Sequence, residues 1–182
     1  MIKKWHGITV CIFTIITFLL TALSIITHLY PRKYSQYVTE FSKEYAIDEN
    51  LVYAIIKCES NFDSDSLSHA GAFGLMQITQ TTFDWARNKK SIKTEEQLSI
   101  YDVKTNIDYG CYIYSLLYKE FEDTNTALAA YNAGRTKVKK WLLDKSYSKD
   151  GKTLFEIPFE ETKKYVKKVS QTQKIYEILY RW

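Results

Sequence analysis

Proline is almost missing from this chain: 182 residues hold two, alongside six glycines, three cysteines and three histidines. So few chain breakers exclude a collagen-like or low-complexity polymer and leave room for long helices. Three cysteines cannot build a disulfide framework. Cys11 lies in an apolar run, while Cys58 and Cys111 fall within helix-like patterns. Two readings stay open for that pair: small buried hydrophobes, or one bridge in an oxidising compartment. His6, His28 and His69 show no ligand spacing, so no metal or other cofactor is expected. One-sided charge is lacking too. Past residue 30 there are 23 basic and 21 acidic residues, which is not a nucleic-acid-binding balance. The cluster Lys163, Lys164, Lys167 and Lys168 reads as a solvated helix face rather than a patch for anionic polymers or lipid.

Charge is absent altogether from Gly7 to Thr27, a run of Ile, Phe, Leu, Val, Ala and Thr. That is about the ~20 residues needed to cross a bilayer. Lys3 and Lys4 precede it, as expected for a cytoplasmic start, and Arg32 and Lys33 just beyond blunt the asymmetry. Ala22-Leu23-Ser24 is followed by more apolar residues, and no lipobox precedes Cys11, so a retained, single-pass signal anchor is expected rather than a cleaved signal. The expected plan is an anchor over 1–30 and one domain over 31–182. With 46% hydrophobic residues the chain has enough for a core.

What is present is helical periodicity. Tyr34, Val38, Phe41 and Tyr45 mark a first helix, and Asp48 caps a second whose stripe is Leu51, Val52, Ile55 and Ile56. Thr79 to Asn88 reads as another. Thr94-Glu95-Glu96-Gln97 and Thr105-Asn106-Ile107-Asp108 read as capping boxes, the second opening a helix striped by Ile107, Cys111, Tyr114, Leu117 and Phe121. Thr126 to Ala133 is a small-residue helix stopped by Gly134. Val138, Trp141 and Leu142 stripe the next, and a last helix follows Pro158 with Tyr165, Val166, Val169, Tyr176 and Leu179. The fold class is mainly α, with any sheet small and near the loop after residue 59.

Glu59 extends the second helix's stripe, four residues past Ile55, three past Ile56 and eight past Leu51. The periodicity that buries those side chains also turns this carboxyl toward the core. Apolar surroundings make a carboxyl harder to ionise, and a raised pKa is what a general acid near neutral pH needs. A solvated last-turn glutamate is the plainer alternative. A polar loop follows, Ser60 to Gly71, too long for an ordinary helix connection. Then come Gly71-Ala72-Phe73-Gly74-Leu75-Met76-Gln77-Ile78 and, much later, Ala130-Tyr131-Asn132-Ala133-Gly134.

These three blocks, in order and spacing, resemble the lytic transglycosylases of the bacterial cell wall, the group related to goose-type lysozyme. Asp102-Val103-Lys104-Thr105-Asn106-Ile107-Asp108-Tyr109-Gly110 is similar to the family's segment before its long central helix, and Glu161 to Val169 to its closing motif. The likeness covers about Val38 to Tyr180. It implies a lysozyme-like α+β domain acting on peptidoglycan glycan strands. It also implies a catalytic Glu59 that protonates the glycosidic oxygen and then, as carboxylate, takes a proton from the muramoyl C6 hydroxyl, leaving 1,6-anhydro ends. Ser60 and Gln77 would hold the sugar or the acid, Tyr131 would set its protonation, Asn132 and Tyr165 would line the cleft, and Met76 would line it or only pack. For Ser60, helix termination stays as open as function.

Two departures stand out: Gln80 where the family commonly has proline, and Cys58 directly before the acid. Two rivals remain. A true lysozyme would use Asp63, Asp65 or Asp84 to activate water. A non-catalytic module would use the groove to seat a secretion or conjugation machine in the wall. The expected location is the cell membrane with the domain outside, its partners peptidoglycan, the membrane and, as an added role, wall or secretion machinery.

Overall fold

The computed structural model describes residues 2–90 and 98–181, with side chains from residue 11 onward, and divides into two compact units, Met1–Lys33 and Tyr34–Trp182. The first is α1 (Ile2–Leu29). Within it Cys11–Leu29, 19 residues, is long and apolar enough to cross a membrane, with none of that window buried. Phe13, Phe18, Leu19 and Leu20 all point outward. Four of its threonines do not need water. Thr14, Thr17, Thr21 and Thr27 donate their hydroxyls to carbonyls three or four residues back, at 2.8 to 3.1 Å, which satisfies the polar groups inside the helix.

The second unit is a helical domain: α2 (Ser35–Glu44), α3 (Glu49–Glu59), α4 (Gln80–Lys90), α5 (Val103–Phe121), α6 (Thr124–Ala133), α7 (Arg135–Leu142) and α8 (Glu160–Leu179). Between α3 and α4 sits a two-stranded antiparallel sheet, β1 (Ala72–Phe73) with β2 (Ile78–Thr79), pairing Ala72 with Thr79 and Phe73 with Ile78. The small sheet is therefore where the sequence pattern places it. α5 runs through the core and buries Ile107, Cys111, Tyr114, Leu117 and Phe121, the stripe read from the sequence. α3 packs most extensively on α8, where Tyr53 and Tyr176 stack with ring centroids 5.4 Å apart. Val138, Trp141 and Leu142 bury one side of α7.

One start signal is corrected. α5 begins at Val103, not at a capping box on Thr105, because Asp102 outcompetes it: the Asp102 carboxylate accepts the Thr105 N–H at 2.8 Å. Asn106 is then free for another task. The box at Thr94 to Gln97 lies outside the described residues. At the family's missing proline, Gln80 opens α4 and donates its side-chain amide to Asp84 at 3.0 Å, one turn on. Cys11, Cys58 and Cys111 are free thiols, so the bridge reading gives way to two separate packing roles.

Candidate active site

The site begins at the C-terminal end of α3. Asp48 starts the helix by accepting the Leu51 N–H at 3.0 Å, and Leu51, Val52, Ile55 and Ile56 are buried as the stripe requires. The next position on that stripe is Glu59, the helix's last residue, half-buried. Burial pushes its carboxyl from 4.5 up to about 7, while the Tyr165 hydroxyl and the Lys168 ammonium, a turn apart on α8, pull the other way. At neutral pH this group can give a proton or take one. Cys58, beside it, turns off toward α8, its thiol 3.6 Å from the Thr172 hydroxyl. Burial raises that thiol above its ordinary value, so it stays protonated and packs.

Two phenols face the carboxyl. Burial and the charge of Glu59 hold the hydroxyls of Tyr131 and Tyr165 far above the ordinary tyrosine value, which keeps both as neutral donors. The Tyr165 hydroxyl is buried toward Glu59 without an ideally aligned hydrogen bond, and that leaves it free to follow the carboxyl as it changes charge. Tyr131 instead donates to the Met76 carbonyl at 2.8 Å. It stands by the acid with its proton committed elsewhere.

The chain leaving Glu59 turns sharply. Ser60 caps α3, and its buried hydroxyl lies 2.9 Å from the Leu75 carbonyl and 3.2 Å from that of Ile56. Asn61 and Phe62 then adopt left-handed backbone, φ 53° and 66°, a strained choice for a ring-bearing residue. Burying Phe62 against Tyr53 offsets it, with centroids 6.3 Å apart. Gly74, at φ 71°, lets the returning chain pass against α5. Gln77, also left-handed, donates its amide hydrogens to the Gly74 and Ser66 carbonyls at 2.9 and 3.1 Å, which leaves only its amide oxygen for a ligand. Met76 is core: it is fully buried, and a Cβ on Gly110 would run into its side chain. Asn132 accepts the Thr162 hydroxyl at 2.8 Å, tying α6 to α8.

Of the residues singled out in the sequence, Glu59, Tyr131 and Tyr165 therefore meet around one carboxyl. Ser60, Met76 and Gln77 form the wall that shapes it, and Asn132 braces the helix carrying Tyr131. The sequence reading placed Lys168 on a solvated helix face, where it is indeed exposed, but did not foresee that its charge reaches Glu59; Asn106, read only as part of a capping box, is a buried amide that accepts the Met76 N–H at 2.8 Å. Asp63, Asp65 and Asp84 are exposed. Asp63 is spent on the loop itself, accepting the Asp65 N–H at 3.0 Å. A groove of about 320 Å³ passes Tyr131 and Gly134, walled by Thr82, Trp85 and Arg135. A larger one of about 610 Å³ lies at the other end of α3, by Asp48 and Leu51, away from all of these residues.

Known proteins resemble this chain in sequence and in fold. The family described as "Transglycosylase SLT domain" matches residues 36–155. The chain belongs to this family. It is 29% identical over 171 residues to the membrane-bound lytic murein transglycosylase C of Cronobacter sakazakii, covering 79% of this chain and 46% of that protein. With the soluble lytic murein transglycosylase of Salmonella typhimurium it shares 32% over 143 residues, 77% of this chain and 22% of the other. The 70 kDa soluble lytic transglycosylase of Escherichia coli superposes with a TM-score of 0.74 at 27% identity, over 85% of this chain and 26% of that one. An inactive glutamate-to-glutamine variant of the lytic transglycosylase Slt from Pseudomonas aeruginosa gives 0.71 at 28%, over 84% and 25%. The chain thus spans less than half the length of these relatives, and its second unit has the lysozyme-like SLT fold.

Proposed function

We propose that this protein is a membrane-anchored lytic transglycosylase of peptidoglycan, cutting the bond between N-acetylmuramic acid and N-acetylglucosamine with Glu59 as its single acid and base. The observation that carries the reading is the Glu59 carboxyl itself, lifted to about 7 by burial and faced by two neutral phenols. In the first step protonated Glu59 gives its proton to the glycosidic oxygen as the bond to the muramoyl C1 breaks. Positive charge then develops on the sugar, and the new carboxylate beside it is favoured by Tyr165 and Lys168. In the second step that carboxylate takes the proton of the muramoyl C6 hydroxyl, whose oxygen closes on C1. The products are an N-acetylglucosamine end and a 1,6-anhydro ring, the proton is back on Glu59, and no water is consumed. A hydroxyl already held by binding has an effective concentration that water in a closed cleft does not match. The names of the relatives support the substrate, and the inactive glutamate-to-glutamine variant of one supports reliance on such a carboxyl.

The exposed positions of Asp63, Asp65 and Asp84 favour this route over hydrolysis, which needs a second carboxylate aimed at the bond. The apolar window Cys11–Leu29 supports a single pass through the membrane, where its self-satisfied threonines suit a lipid surround, and the proposed substrate puts the domain on the wall side. Mass spectrometry of digested sacculi tests the chemistry. Products one water lighter than reducing ends, and resistant to borohydride, are expected. Predominantly reducing muramic ends would make the protein a hydrolase. Carbonate extraction and protease accessibility of wall-stripped cells test the anchor, with a soluble form starting near residue 30 as the contrary result.

A further inference from the structure

Asn106 has a place in the fold that the proposed chemistry does not use. It is 1% exposed on α5, and its carboxamide is fully engaged. Its Oδ1 accepts the Met76 N–H at 2.8 Å, and its Nδ2 donates to the carbonyls of Phe73 at 3.0 Å and Ile100 at 2.9 Å. What it grips is the peptide group between Leu75 and Met76. The N–H of that group meets Asn106, and its C=O, on the opposite edge of the trans peptide, meets the Ser60 hydroxyl at 2.9 Å. The next carbonyl, that of Met76, takes the Tyr131 hydroxyl at 2.8 Å. One peptide plane therefore joins α5 to the residue after Glu59 and, one carbonyl further on, to a phenol beside Glu59. There is no slack in the bracket: a Cβ on Gly74 would lie 2.5 Å from the Asn106 Nδ2.

We propose that Asn106 is a positioning residue of the active site, holding the Leu75–Met76 peptide so that Ser60 and Tyr131 fix Glu59 in its protonating geometry. The inference rests on the reading of Glu59 as the acid. A primary amide alone offers one acceptor and two donors in a single plane, which is what Met76, Phe73 and Ile100 require. Aspartate keeps the acceptor but sets oxygen against two carbonyls. Alanine leaves all three groups unpaired, and the peptide they hold is then free to turn.

The test uses the full chain in detergent, purified peptidoglycan, and the variants Asn106→Ala, Asn106→Asp, Tyr131→Phe and the Asn106→Ala/Tyr131→Phe pair, with Glu59→Gln alongside. Asn106→Ala is expected to lower kcat per folded molecule by about 100-fold with little change in KM, the scale of a 1 Å misplacement of reacting groups. The double variant should be little worse than the worse single one, because both changes release the same peptide. Asn106→Asp should recover, relative to wild type, as pH falls and its acid regains a proton to donate. Wild-type kcat in folded Asn106→Ala, or single losses that simply multiply in the pair, would overturn the proposal. Should Asn106→Ala not fold, Asn106→Asp decides: a ratio to wild type that stays flat with pH refutes it. An active Glu59→Gln would instead remove the acid assignment, a result separate from a silent Asn106 beside a dead Glu59→Gln.

Discussion

Asp108 and Glu59 are both drawn out of water by the helices that carry them, and their surroundings differ in one respect. Asp108, on α5, receives the Lys90 ammonium on both oxygens at 2.6 Å and the Tyr45 hydroxyl at 2.6 Å. Lys90 in turn sits over the rings of Tyr109, Tyr45 and Tyr112, 4.9 to 5.6 Å from their centroids. Every partner there bonds or stacks directly, and the cluster ties the end of α4 to α2 and α5. Glu59 has no ion pair among the described residues, only a loosely aligned phenol and the field of one lysine. Partnered burial makes a joint. Unpartnered burial makes a group that changes protonation near neutral pH.

The sharpest way to break the contrast is Glu59→Gln. The isosteric change should lower peptidoglycan clearing by roughly 100- to 10,000-fold, the usual worth of a general acid and base, while circular dichroism stays unchanged. A folded variant with most of its activity would show that this carboxyl is not the acid. The same variant tests stability. Because the folded pKa, about 7, lies above the unfolded 4.5, the favourable contribution of Glu59 is fully present below 4.5 and is lost as pH rises through 7. The loss is worth roughly 3 kcal/mol at most. Wild type should therefore lose thermal stability across that window, and Glu59→Gln should lose less of it.

Lys90→Met applies the converse test to the joint. It strands a charge on Asp108, so a stability loss of about 3 kcal/mol is expected by denaturant unfolding, with activity per folded molecule unchanged. If activity fell and stability held, the two clusters would not be separable. Tyr165→Phe should act more gently. Without the hydroxyl that favours the carboxylate, the pKa of Glu59 rises, the limb of the pH profile on which the acid is lost moves to higher pH, and the proton-donating step slows because the acid is weaker. A profile of unchanged position would place Tyr165 outside the electrostatics. The smallest effect is expected at a third carboxylate, Asp48: Asp48→Ala should cost about 1 kcal/mol as a lost N-cap and leave the pH profile where it was.

The joint and the acid were not equally legible in the sequence. Glu59 could be found because helical periodicity is a one-dimensional signal: the stripe of Leu51, Val52, Ile55 and Ile56 points to it without any knowledge of what packs above. Asp108 is joined to Tyr45 across 63 residues, and no local pattern carries that. The stripes of α5 and α7 were read correctly for the same reason as that of α3, and that of α8 at Val166, Val169 and Tyr176, while Tyr165 and Leu179 are only partly buried. Starts were less secure, since Asp102 and Thr105 compete for one cap and only geometry picks the winner. Ser60 looked as much like a sugar ligand as a helix stop, and the structure gives its hydroxyl to a carbonyl 15 residues on. Asn106 was hidden because a buried amide and a capping amide are the same letter. The left-handed backbone of Phe62 and Gln77 is legible in no residue type, because tertiary contacts impose it on side chains that would ordinarily avoid it, whereas Asn61, just past the C-cap of α3, is a residue that takes it readily.

The connector between the two units is a tether of fixed length. α1 ends at Leu29 and α2 begins at Ser35, so five residues join them, and five fully extended residues reach at most about 18 Å. With α1 spanning the membrane as proposed, that length is an upper limit on the tether between the end of the apolar helix and the first residue of α2.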